Sequence, residues 1–217
     1  MTKARFYPHA SVSAVCGVFL ALVLLALLGS PAAAHHVMDN QLPATFLQGL
    51  LSGLGHPVIG LDHLAAIIAI GCIAATQPRG AMLAVGFVMA MLSGVTIHLG
   101  QATISGAELL VALSVVLLGI AMLRLRPVAR GLALLLFALA GFVHGYALGE
   151  SIVGAEPAPL YAYLAGLAII QSAITFAAMT LTRWLLARPS FEPVRLRLVG
   201  AGIAGFGFAL LMSQLGA

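Results

Sequence analysis

From Val58 to Leu215 the chain is apolar sequence cut only by short polar or glycine- and proline-bearing breaks. The long runs are about Val58–Thr76, Ala81–Leu99, Ala107–Leu123, Gly131–Leu148, Leu160–Leu186 and Leu196–Leu215. Runs of this length match the ~20 residues that a helix needs to cross a bilayer. Such segments must satisfy every backbone group internally, which restricts them to helices. The predicted fold is therefore all-α: six membrane helices in one bundle. Composition agrees. The 217 residues are 62% hydrophobic and 7% charged, with mean hydropathy +1.11, whereas a soluble domain carries about 25% charged residues. The formal net charge of +4 reads as loop arginines and offers no basis for nucleic-acid binding.

Residues 1–34 read as a signal peptide. Lys3 and Arg5 form its positive start, Val12 to Leu28 its apolar core, and Ala32-Ala33-Ala34 its cleavage region. An uncleaved anchor is the alternative. The expected mature unit is a single membrane domain over 35–217, beginning with His35-His36. Cleavage after Ala32 would place His35 third, where a free amine, backbone nitrogens and an imidazole chelate Ni²⁺ or Cu²⁺; an incidental polar tail is the other reading. Of the cysteines, Cys16 falls in the signal and Cys72 is left alone, so neither a disulfide nor a thiolate metal site is expected.

Residues 44–54 are apolar but too short to span. They read as a half-helix or re-entrant segment that ends at Gly55-His56-Pro57, a helix break. Pro57 then opens the next helix with His56 at its cap. On that one helix His56 and His63 would differ by only about 20° in direction, a shared face. Arg79, Arg124, Arg126, Arg130, Arg183, Arg188, Arg195 and Arg197 fall in or beside alternate connections, which the positive-inside rule makes cytoplasmic. The mature N-terminus is then periplasmic in a bacterial inner membrane. No P-loop is present to couple the chain to ATP.

With this orientation every mature histidine maps to the outer half: His35, His36, His56, His63, His98 and His144. Asp62, Glu108, Glu150 and Glu156 share that side. Ionisable groups at membrane depth are costly and mark ion or proton paths. Imidazoles with one carboxylate and no thiolate favour a divalent first-row metal. Asp62 could be a ligand, a partner orienting an imidazole, or the compensator of a cation's charge. Blander readings stand beside these. His98, next to Gln101 and Thr103, and His144, before Gly145 and Gly149, could be interhelical hydrogen-bonding groups. Asp62 and His63 could be a structural pair, and the glutamates solvated loop acids. No nucleophile motif points to an enzyme, and histidines facing one another across helices, His98 with His144 or His63, could instead ligate a b-type haem.

His56-Pro57-x-x-Gly60-x-Asp62-His63-Leu64, behind a signal peptide, resembles the HupE/UreJ family. Phe142-Val143-His144-Gly145-Tyr146-Ala147-Leu148-Gly149-Glu150-Ser151 resembles that family's second His-Gly motif. The resemblance covers essentially the whole mature chain. It implies about six membrane helices and a permease for nickel or cobalt, with the transported ion as cargo and no permanent cofactor. The ligand positions it implies are His56, Asp62, His63 and His144, with His98, His35, His36 and Glu150 as further candidates. Two positions depart from the family pattern. Leu148 stands where a second histidine is usual, and the acid falls at Glu150 rather than at Ser151. A metal-binding accessory protein that does not transport is the remaining alternative.

Overall fold

The computed structural model describes residues 42–216; the segment read as a signal peptide, with His35 and His36, lies outside them. Seven helices follow in order: α1 Phe46–Ile59, α2 Leu61–Thr76, α3 Gly80–Leu99, α4 Ala107–Arg124, α5 Arg130–Gly149, α6 Pro157–Leu186 and α7 Val194–Leu215. No strand occurs among the described residues. The helices from α3 to α7 are each long and apolar enough to cross a membrane, and α1 with α2 forms a sixth candidate span, bent by 78°. The runs read from the sequence are recovered with ends moved by a few residues.

α1 starts at a capping box. Thr45 Oγ1 accepts from Gln48 N at 3.2 Å, and Gln48 Oε1 accepts from Thr45 N at 3.2 Å. α2 stands at the centre and touches every other helix. Its sequence is apolar on all sides, as a surrounded helix requires. Ala66, Ala69, Ile70 and Ala74 are fully buried. With 16 residues, α2 rises about 24 Å, short of the ~30 Å hydrocarbon core. α1 supplies the rest. It packs along the first half of α6, where Gly49 abuts Pro159 and Gly53 abuts Tyr163. α2 meets α6 further on, with Gly71 against Thr175 and Cys72 beside Thr182. The bent pair thus advances in the same direction as α6, as one broken span.

Two other helix pairs, α3 with α5 and α4 with α7, complete the bundle. Both pack through small residues. A Cβ on Gly145 would collide with the Met91 backbone, and one on Gly94 with that of Phe142. Close backbone approach replaces the hydrophobic effect as the adhesive between helices in lipid. The outer surface is apolar, with Leu47, Leu61, Met82, Met89 and Leu135 exposed.

The connections α2–α3, α4–α5 and α6–α7 lie at one end and carry the arginines. Glu108, Glu150 and Glu156 lie at the other. α6 carries exposed aromatics near both ends, Tyr161 and Trp184. They stand about 35 Å apart along the axis, the spacing of two membrane–water interfaces. The Arg188 guanidinium sits 3.5 Å from the Trp184 ring centroid.

The structure corrects the expected break. α1 continues through Gly55, His56 and Pro57, and the bend falls at Gly60, so α2 begins at Leu61 rather than Val58. Pro57 sits in the last turn of α1, where its missing N–H forfeits a single helical bond. Gly60 N donates to His56 O at 2.9 Å and closes that helix. Gly60 O then accepts from Leu64 N at 2.9 Å and starts the next. A side chain at this corner has no room. A Cβ on Gly60 would lie 2.8 Å from His63 Cδ2 and 3.2 Å from Asp62 Oδ1.

Candidate functional site

The bend overturns the shared helix face expected for His56 and His63 and replaces it with something closer. On one straight helix, seven residues separate along the axis by about 10 Å. Across the bend, the last turn of α1 and the first turn of α2 bring the two ring centroids to 6.1 Å. α5 adds His144, whose ring centroid is 5.0 Å from that of His63. The three imidazoles form a buried row in the half of the bundle remote from the arginines.

A chain of hydrogen bonds fixes how the row is oriented. Ser114 Oγ on α4 donates to Val111 O at 2.8 Å. Its one proton is thereby used, so it accepts from His144 Nε2 at 2.8 Å. His144 then offers the lone pair of Nδ1, and His63 Nδ1, 2.7 Å away, donates to it. On the other side of the His63 ring, Nε2 lies 3.9 Å from Asp62 Oδ2. An imidazole nitrogen and a carboxylate oxygen therefore face each other across a short gap at the mouth of α2.

This gap suits a divalent cation. Bonds of about 2.0–2.2 Å to imidazole nitrogen and carboxylate oxygen, the lengths zinc takes, let an ion span up to about 4.2 Å. His63 and Asp62 fit that span with little movement. A third donor must shift inward, since among the described residues no three of His, Cys, Asp and Glu are grouped closely enough to hold an ion. His56 is the nearer on the chain. Tyr163 OH lies 3.5 Å from its Nδ1 and donates to Leu148 O at 2.7 Å.

His98 and Glu150 stand apart from this row, contrary to a single gathered site. They line a cavity of about 510 Å³ at the acidic end, with Glu108 and Tyr146. The His98 ring packs on Tyr146 at 4.4 Å between centroids. Tyr146 OH donates to Ala102 O at 2.8 Å, tying α5 to the α3–α4 loop. Helix position explains the separation: His98 is at the last turn of α3 and Glu150 follows the end of α5, whereas His144 is deeper by about 9 Å than Glu150.

The model of the "HupE / UreJ protein" family matches residues 22–210. The chain belongs to the HupE/UreJ family. It is also similar to a curated relative, "Protein HupE" of Rhizobium leguminosarum bv. viciae, with 27% identity over 191 residues, 87% of this chain and 95% of that protein. No solved structure matches.

In this HupE/UreJ chain the two departures from the family pattern have structural positions. Leu148, where a histidine is usual, is fully buried, and its carbonyl receives the Tyr163 hydroxyl. Ser151, where an acid is usual, places Oγ 3.0 Å from that same hydroxyl. Sequence reasoning passed over Ser114 and Tyr163. Ser114 carried a usable signal, as the one hydroxyl in the Ala107–Arg124 run. Tyr163 carried none, because Tyr161 two residues earlier looks equivalent and points outward.

Proposed function

We propose that this HupE/UreJ protein is a secondary permease that admits Ni²⁺ or Co²⁺ from the periplasm. The observation that carries the reading is the His63–Asp62 gap, with His63 buried and Asp62 half-buried where α1 and α2 bend, backed by the His144–Ser114 chain. His63 Nε2 and Asp62 receive the ion. Asp62 offsets one of its two charges, which lowers the cost of holding a dication at membrane depth. His56 completes the ligand set as the ion sheds water, while His144, both of whose ring nitrogens are engaged, by His63 and by Ser114, holds His63 in position. His98, Glu108 and Glu150 gather cations at the mouth, and His35 and His36 extend that mouth outward. Broken helices recur at transporter sites because freed carbonyls and helix ends meet the ion there.

The arginine end is cytoplasmic by the positive-inside rule. The protein is then a multi-pass inner-membrane protein with a periplasmic mature N-terminus, and it carries an ion rather than performing catalysis or holding a cofactor. A b-type haem suits the row poorly, because a porphyrin needs its two imidazoles on opposite faces. The direct 2.7 Å contact of His63 with His144 leaves no plane between them.

The test is uptake of radioactive nickel, with cobalt as competitor, by cells expressing wild type, His63→Ala or Asp62→Ala, with membrane levels checked by immunoblot. Both variants should lose metal-dependent uptake at normal abundance. Uptake at the wild-type rate in both would overturn the assignment. Wild-type binding without flux in proteoliposomes would make the protein an accessory rather than a permease.

A further inference from the structure

Among the described residues, the half of the bundle nearer the arginines contains no histidine, so an ion released inward needs other donors. α6 supplies candidates. Gln171, Thr175 and Thr182 lie within about 40° of one another around its axis, and they are 1%, 0% and 2% exposed. Thr182 Oγ1 donates to Cys72 Sγ on α2 at 3.3 Å. Gln171 and Thr175 differ. Among the described residues, Gln171 Oε1, Gln171 Nε2 and Thr175 Oγ1 have no hydrogen-bond partner although they are buried. Leaving such groups unpaired costs about 1–3 kcal/mol each, and each one calls for an explanation such as a bound ion or water.

Their location gives the explanation. Gln171 is about 15 Å from Tyr161 and about 20 Å from Trp184 along α6, near the middle of the membrane. Tyr163, beside His56, is about 12 Å toward the acidic end. Between the two levels on α6 stands Leu167, one turn from Tyr163 and one turn from Gln171. It is fully buried in the apolar core. The histidine row and the Gln171–Thr175 pair are thus two polar levels on the same helix pair, separated by one apolar turn.

We infer that Gln171 and Thr175 form a second, oxygen-donor station for the divalent cation on the cytoplasmic side of an apolar plug at Leu167. This rests on the permease reading and supplies the release step that the histidines leave open. An amide carbonyl and a hydroxyl are weak, hard ligands for nickel or cobalt. They hold a partly hydrated ion long enough to let it go, whereas a second histidine site would retain it. The structure shows this level shut, with the backbone of Thr175 against Gly71. Opening it parts α2 from α6 below the plug.

The test uses the full chain in proteoliposomes loaded by external radioactive nickel, with nickel binding measured on the same purified protein by equilibrium dialysis. Gln171→Leu and Thr175→Val should cut flux by about tenfold or more, while nickel binding stays at the wild-type affinity because the histidine site is intact. Thr175→Ser, which keeps the hydroxyl, should restore most of the flux. Both apolar variants should melt no lower than wild type, since they remove unpaired buried groups. Wild-type flux in both apolar variants would overturn this inference and leave the permease reading standing. Flux lost together with thermal stability would assign the residues to packing and overturn it too. A wild-type protein that moves no nickel would overturn both readings.

Discussion

Replacing Ser114 by alanine tests the hydrogen-bond chain at its root. Ser114 is buried, and it holds His144 Nε2 at 2.8 Å. Its loss leaves the imidazole N–H of a side chain only 2% exposed without its acceptor. A buried orphan of this kind costs about 1–3 kcal/mol in water-soluble proteins. Measured interhelical hydrogen bonds in membranes average about 0.6 kcal/mol and reach about 1.7, so the fold should lose about 1 kcal/mol and still insert. The larger effect is chemical. Without Ser114, His144 is free to carry its proton on Nδ1, which then meets His63 Nδ1 donor to donor. Groups that orient a metal-binding imidazole are worth about 10–100-fold in affinity, equal to about 1.4–2.7 kcal/mol. Equilibrium dialysis of nickel against purified Ser114→Ala should therefore show a weakening in that range, beside a melting temperature a few degrees lower. Nickel binding within twofold of wild type would refute the tautomer chain, whatever the stability.

Gly60→Ala should reduce nickel uptake while Gly86→Ala leaves it unchanged. The first places a Cβ 2.8 Å from His63 Cδ2, and the second meets nothing within 4 Å; paired uptake assays at equal expression decide this. Tyr163→Phe removes the hydroxyl that donates to Leu148 O and meets Ser151. It should cost about 1 kcal/mol of stability, read as a lower melting temperature, and loosen His56 enough to weaken nickel binding severalfold in dialysis.

The helices were legible because hydropathy alone limits where a span can be, and α3 begins within one residue of the expected Ala81. The break was not legible. Gly55-His56-Pro57 and Gly60 both read as punctuation, and proline is the stronger local signal. Packing decides between them: Gly53 must press against the Tyr163 backbone, which requires α1 to remain helical past Gly55. The histidines and Asp62 announced themselves as ionisable groups in apolar runs. Gln171 and Thr175 did not, since isolated polar side chains on a long helix look alike whether they face lipid, a neighbour or one another. Their burial and lack of partners exist only once α2 is laid against α6.

The Arg188–Trp184 pair gives the protein an optical property. Trp184 is the single tryptophan in the chain, and along α6 it stands about 32 Å from Tyr163 at the histidine row. At that separation a bound ion touches neither the indole nor the guanidinium beside it. A change in the emission of Trp184 on adding metal therefore reports displacement of α6 as a body. On the permease reading, the motion that opens the inner side is then timed in the unmodified protein by stopped-flow fluorescence, with no attached dye.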